Sequence, residues 1–128
     1  MSIVTPLNRV LGLGTASGAA EHWWLQRLTA VALTVLGIWA AIEVMLLPDF
    51  AYRTVYAWVH RPYSAVMLIL FVLAVGYHSY LGVQVVIEDY VASKGAKVAS
   101  IMGSALVHTG LSIAAIFAIL KIAFGTAA

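Results

Sequence analysis

The chain has 128 residues, of which 63% are hydrophobic and 9% charged, with a formal net charge of +2 and a mean hydropathy of +1.00. Soluble domains carry about a quarter charged residues, so this composition excludes an ordinary soluble enzyme and describes an integral membrane protein with intramembrane or interfacial chemistry. The lack of cysteine excludes disulfides, thiolate metal sites and iron–sulfur clusters ligated by this chain, and so small a net charge gives no argument for nucleic acid.

The length fits one membrane domain of three spans joined by short loops. Residues 1–21 mix Gly, Ala, Ser and Thr with Arg9. They lack both the apolar core of a secretory signal and the arginine density of a transit peptide. They are expected to form an irregular arm, with a short interfacial turn around Val10 to Leu13, because Gly12, Gly14 and Gly18 oppose a stable helix.

His22, Trp23, Trp24, Gln26 and Arg27 then lead into the apolar run Leu28 to Leu47. Paired tryptophans suit the headgroup layer, where an indole buries its ring and keeps its N–H in a polar region. A first span over about 24–47 follows, with Glu43 close enough to Pro48 to snorkel to the interface. Pro48 to Arg61 breaks that helix, and Tyr52 and Tyr56 among polar neighbours predict a short amphipathic segment in the interface plane, with His60 a solvated loop residue. Pro62 is suited to a helix start, since its missing N–H needs no intrahelical acceptor there. The second span is predicted over about 62–87, a polar loop over 88–97, and the third span over about 98–123. Arg9, Arg27, Lys94 and Lys97 fall on one side and Arg53, Arg61 and Lys121 on the other, an excess of four over three that points to a cytoplasmic N-terminus.

The stretch His78 to Tyr90, HSYLGVQVVIEDY, concentrates the chemistry. At about 100° per residue, His78, Gly82, Val85 and Asp89 share one helical stripe. A mid-membrane imidazole beside a glycine suits either a haem axial ligand with lateral space for the macrocycle or an interhelical hydrogen bond at a close packing point. His108, in the third span, falls at a similar depth, so an intrachain bis-histidine site with His78 and a plain helix–helix hydrogen bond both stay open. At the membrane surface, Tyr90 can donate to a carbonyl of a lipid-soluble substrate with Asp89 orienting it or delivering a proton, or both can be ordinary helix-end residues. His22 and Arg27 can bind acidic groups such as haem propionates, or simply anchor the span.

The pattern His-x10-Asp-Tyr, with Ser79, Tyr80, Leu81 and Gly82 following the histidine, resembles the smaller haem-binding membrane-anchor subunit of succinate dehydrogenase, respiratory complex II. The motif covers 78–90, and the size, the three spans and an arginine followed by a small or hydroxyl residue at the head of span one agree in layout. The resemblance implies an all-α integral membrane protein whose helices contribute to a haem-binding bundle with a second anchor subunit. It implies that His78 is one axial ligand of the iron of haem b, the other coming from that second anchor. Tyr90 would then hydrogen-bond ubiquinone, Asp89 would line the quinone pocket, and Arg27 would lie near the haem propionates. His22 stands as a further propionate contact outside the matched pattern, and His108 has no counterpart in it. The implied partners are the second anchor subunit, an iron–sulfur subunit and a flavoprotein that oxidises succinate. This chain would be a non-catalytic subunit joining the tricarboxylic acid cycle to electron transport, in the bacterial inner membrane or, as a second choice, the mitochondrial one. Two rivals remain: a self-contained small cytochrome or ion-conducting protein using His78 and His108, and a haem-free structural anchor.

Overall fold

The computed structural model describes residues 16–125. Four helices follow one another: α1 Ala16–Met45, α2 Tyr52–His60, α3 Pro62–Tyr90 and α4 Lys94–Phe124. Three of them, α1, α3 and α4, are long and apolar enough to cross a membrane. At about 1.5 Å per residue their 29 to 31 residues extend for about 45 Å, enough for the hydrocarbon core and both interfaces. Large apolar side chains such as Leu106 and Phe117 are 74% and 69% exposed, as expected where the solvent is lipid or the neighbour another membrane helix.

The three long helices form a row with α3 in the middle. It packs against α1 on one side and α4 on the other, while α1 and α4 make no close backbone approach among the described residues. The two faces of α3 are therefore divided between two neighbours. Close approach to α4 centres on Gly76, where an added Cβ would collide with the Ser112 hydroxyl. Small residues at a membrane helix crossing let backbones approach, and here the need is met by that one glycine.

Helix α2 links α1 to α3 at one end of the row and is also tied to the end of α4. The Tyr56 hydroxyl donates to the Gly125 carbonyl at 3.1 Å, and His60 Nδ1–H donates to the Ile122 carbonyl at 2.9 Å. Both acceptors belong to the terminus of α4, where the last carbonyls have no partners within their own helix. His60 is thus a helix-capping donor as well as an exposed residue, which its place beside Arg61 did not reveal. Glu43 does not simply snorkel: its Oε2 accepts from Trp58 Nε1 at 3.0 Å. Trp39 stacks on Trp58 at 6.4 Å and meets Tyr63 edge-on at 6.0 Å, so α1, α2 and the start of α3 share an aromatic cluster. Trp58, Val59, Ser64 and Ala65 are buried around it.

Helix ends differ from the expected ones in two places. The first helix begins at Ala16 and passes through Gly18, because a helix already committed by the apolar span propagates at little further cost. The expected turn around Val10 to Leu13 lies outside the described residues. The second long helix continues through Glu88, Asp89 and Tyr90, and only residues 91–93 separate it from α4. Lys97 Nζ donates to the Glu88 carbonyl at 2.6 Å and Gln84 Nε2 donates to Glu88 Oε1 at 2.8 Å, which secures that last turn.

Gly76→Ala should lower the thermal midpoint of the detergent-solubilised chain, by the equivalent of about 1–3 kcal/mol for overpacking. Gly103→Ala, where an added Cβ meets nothing within 4 Å, should leave it unchanged or raise it. At the start of α2, a hydrogen bond from the Thr54 side chain and another from the Ala51 N–H hold the Asp49 carboxyl below its ordinary range. The stabilisation is therefore present above the unfolded carboxylate value of about 3.9 and lost as pH falls through the lower folded value. Amide-exchange protection of Val55, corrected for intrinsic rates, should fall over that acidic window, and Asp49→Asn should remove the dependence.

Candidate functional site between α1 and α3

Helical spacing puts His22, Gln26 and Thr29 of α1 on one stripe, and the middle helix presents His78, Leu81 and Gly82 toward them. Leu81 is buried in the seam. The Thr29 hydroxyl lies 2.9 Å from His78 Nδ1. It also donates to the Leu25 carbonyl at 2.8 Å, with a second, longer approach to the Gln26 carbonyl at 3.1 Å. A hydroxyl has one proton: when it goes to the Leu25 carbonyl, the contact is completed by the His78 tautomer that donates through Nδ1–H and leaves the Nε2 lone pair unprotonated.

Next to His78, a Cβ added to Gly82 would meet only Gln26 Nε2, at 3.9 Å. The strip beside the imidazole is therefore cleared and not refilled by the described residues. Two polar atoms on the facing stripe, His22 Nε2 and Gln26 Oε1, are buried with no hydrogen-bond partner among the described residues. Buried polar atoms are nearly always paired, so this pair of orphans marks the seam as unfinished by the described residues.

The opposite face of α3 has a different character. Ser79, one position after His78 and so about 100° around the helix, donates to His108 Nε2 at 3.1 Å. His108 Nδ1–H in turn donates to the Ser104 carbonyl at 2.7 Å, with the Ser104 hydroxyl at 3.3 Å. Both nitrogens of His108 are thereby engaged in joining α3 to α4. His78 faces Thr29 of α1, whereas His108, on α4, faces Ser79 of α3, so the two imidazoles are engaged at different helix contacts and not with each other. Grooves of about 370 and 320 Å³ flank this crossing, both lined in part by Gly76, His108 and Ser112.

At the end of α3, Asp89 and Tyr90 are exposed, Tyr90 by 84%. Asp89 follows the His78 stripe, whereas Tyr90, twelve positions on from His78, stands about 120° away from it. Arg27 is exposed on the outer side of α1, its guanidinium 4.8 Å from the Trp23 ring centre. Five positions separate it from His22, about 140° around the helix, so the two do not share one face. Among the described residues no group of three or more His, Cys, Asp or Glu is assembled that could hold a metal.

Residues 1–124 match the succinate dehydrogenase/fumarate reductase transmembrane subunit family. The chain belongs to that family. It is similar to the succinate dehydrogenase hydrophobic membrane anchor subunit of Paracoccus denitrificans, with 30% identity over 125 residues, 98% of this chain and 96% of that protein. The corresponding subunit of Rickettsia bellii is 33% identical over 79 residues, covering 62% of this chain and 63% of its own length. That of Rickettsia conorii is 31% identical over 80 residues, 62% of this chain and 64% of its own. No solved structure gives a significant match.

The two faces of α3 differ in this succinate dehydrogenase anchor: among the described residues the α4 face is closed by hydrogen bonds, and the α1 face has His22 Nε2 and Gln26 Oε1 without partners. Sequence reasoning found His78, Gly82 and His22 but passed over Thr29 and Ser79. The signal for Thr29 was present, because it follows His22 by seven positions and Gln26 by three on the same stripe. Nothing in the sequence says whether Ser79 or His78 meets His108. A double-mutant cycle with Ser79→Ala and His108→Ala should give a coupling of about 0.6 kcal/mol in the anchor's unfolding free energy, as for other interhelical polar pairs. A coupling of zero would place the bond outside the folded state.

Proposed function

We propose that this chain is the smaller, haem-binding anchor of a succinate:quinone oxidoreductase in the bacterial inner membrane, with its N-terminus in the cytoplasm. In this reading it supplies one axial ligand of haem b and part of the ubiquinone site. Succinate is oxidised on a separate flavoprotein, and the electrons reach ubiquinone by way of a separate iron–sulfur subunit. The observation that carries the reading is the contact of His78 Nδ1 with Thr29 Oγ1 at 2.9 Å beside the clearing at Gly82, an arrangement that leaves Nε2 for a ligand.

The residues present fit haem b. A neutral imidazole with one nitrogen hydrogen-bonded and the other free has the donor chemistry of an axial ligand. The strip at Gly82 accepts a flat neighbour, and the orphaned His22 Nε2 is a donor or acceptor in search of a polar group such as a propionate. Arg27, fixed by Trp23 and exposed on the outer side of α1, keeps its guanidinium N–H groups for a propionate approaching from that side. Haem b supplies one-electron redox chemistry when bound. The second ligand and the rest of the pocket come from the second anchor subunit, in keeping with the incomplete α1–α3 seam.

At the surface, the Tyr90 hydroxyl donates a hydrogen bond to a ubiquinone carbonyl, polarising it toward reduction. Asp89, one residue away at the same membrane boundary, orients the quinone and passes a proton to a carbonyl oxygen as that oxygen becomes a hydroxyl. The exposure of Tyr90 supports a pocket whose opposite wall belongs to the iron–sulfur subunit or the second anchor.

In purified complex, His78→Ala should abolish or shift the low-spin haem b spectrum; an unaltered spectrum would reject His78 as the ligand. Tyr90→Phe should lower quinone reduction about tenfold or more, the kinetic equivalent of losing one hydrogen bond of about 1.5 kcal/mol. Succinate oxidation with a soluble acceptor should persist, and equal loss of both activities would point to failed assembly instead.

A further inference from the structure

We infer that Thr29 is a positioning residue for the haem reading just given: it sets the tautomer and the ring plane of His78, and through them the redox properties of the ligand. The inference rests on that reading but on a different observation. A neutral histidine can ligate through Nε2 only if its remaining proton sits on Nδ1, and that proton needs an acceptor within the membrane, where water is scarce. Among the described residues the acceptor within reach is Thr29 Oγ1, at 2.9 Å.

Three features make the hydroxyl suited to this task. It is itself tied down, because its own proton goes to the Leu25 carbonyl at 2.8 Å. A free hydroxyl rotor could turn and donate to Nδ1, moving the imidazole proton to Nε2 and blocking ligation. The intrahelical bond opposes that rotation, so Thr29 presents a lone pair to His78. Next, threonine is β-branched, which restricts χ1 in a helix to two rotamers, and the bond to the Leu25 carbonyl selects one and so fixes the position of the oxygen. Last, Thr29 stands on α1 and His78 on α3, so the bond spans 49 positions of chain and transmits the α1–α3 packing to the ring orientation.

A hydrogen bond accepted from Nδ1–H raises the basicity of the ligating nitrogen, which favours the ferric over the ferrous state. Its loss should therefore raise the haem midpoint potential. Removing a hydrogen-bond partner of a metal-ligating histidine typically costs about 10- to 100-fold in metal affinity or activity. A tenfold preferential weakening of the ferric state corresponds to about 59 mV for a one-electron couple.

The test compares Thr29→Val, which keeps the shape and removes the hydroxyl, with Thr29→Ser, which keeps the hydroxyl, in purified complex. Haem content, midpoint potential and the low-spin electron paramagnetic resonance signature are measured, with His78→Ala alongside. Thr29→Val is expected to retain a haem signal with a raised potential and an altered signature, and to lose haem about tenfold or more readily on dilution in detergent. Thr29→Ser should lie close to the parent. If Thr29→Val does not assemble, Thr29→Ala is measured in its place against the same serine variant. A valine or alanine variant with parental potential and signature overturns the role of Thr29, while loss of the spectrum in His78→Ala leaves the ligand assignment standing. A serine variant as perturbed as valine overturns it too, since packing and not the hydroxyl would then be responsible. An unchanged spectrum in His78→Ala instead overturns the underlying haem reading.

Discussion

A polar side chain in a lipid interior must find its partner within protein, and in this chain that requirement falls on the central helix α3. Adjacent residues His78 and Ser79 project about 100° apart, toward α1 and α4 respectively. Because α1 and α4 do not meet, the two partnerships cannot merge into one network. The row arrangement thus separates a structural polar contact from a contact that leaves a nitrogen free. With a closed three-helix bundle the same residues would have been able to satisfy one another.

The structural side is complete within the chain. His108 uses both ring nitrogens, Ser79 and Ser104 supply the partners, and Gly76 admits the Ser112 hydroxyl at the crossing. At the far end of α4, the hydroxyl of Tyr56 and the imidazole of His60 occupy carbonyls that a helix terminus leaves open. The α1 side is incomplete by the same standard, with His22 Nε2, Gln26 Oε1 and the clearing at Gly82 along one seam. An anchor subunit of succinate dehydrogenase functions within a larger assembly, and in the proposed function the unfinished seam is where a partner subunit completes the site.

Much of this was legible in the residues because membrane helices announce themselves by length and apolarity: three runs, three long helices. The helix ends were less so. Gly18 weighs against a helix locally, yet α1 passes through it because the apolar span supplies the nucleus. The acidic stretch at 88–90 reads as loop, yet Gln84 and Lys97 bind Glu88 and keep the last turn intact. The similar depths of His78 and His108 followed from counting residues along two antiparallel helices. Their facing directions did not, since a single sequence fixes the angle between positions 78 and 79 but not which neighbour packs on which side. For the same reason Glu43 and Trp58 could be placed at the interface but not joined.

In the proposed function, the free nitrogen of His78 serves a cofactor shared with another subunit, while His108 only holds α3 to α4. Optical and electron paramagnetic resonance spectra of the chain purified alone, set against those of the chain purified with its partners, test this division most directly. A low-spin haem signal is expected in the assembled complex and none in the solitary chain supplied with haem. A stoichiometric low-spin haem signal from the solitary chain would contradict it, because this chain would then supply both ligands without a partner subunit.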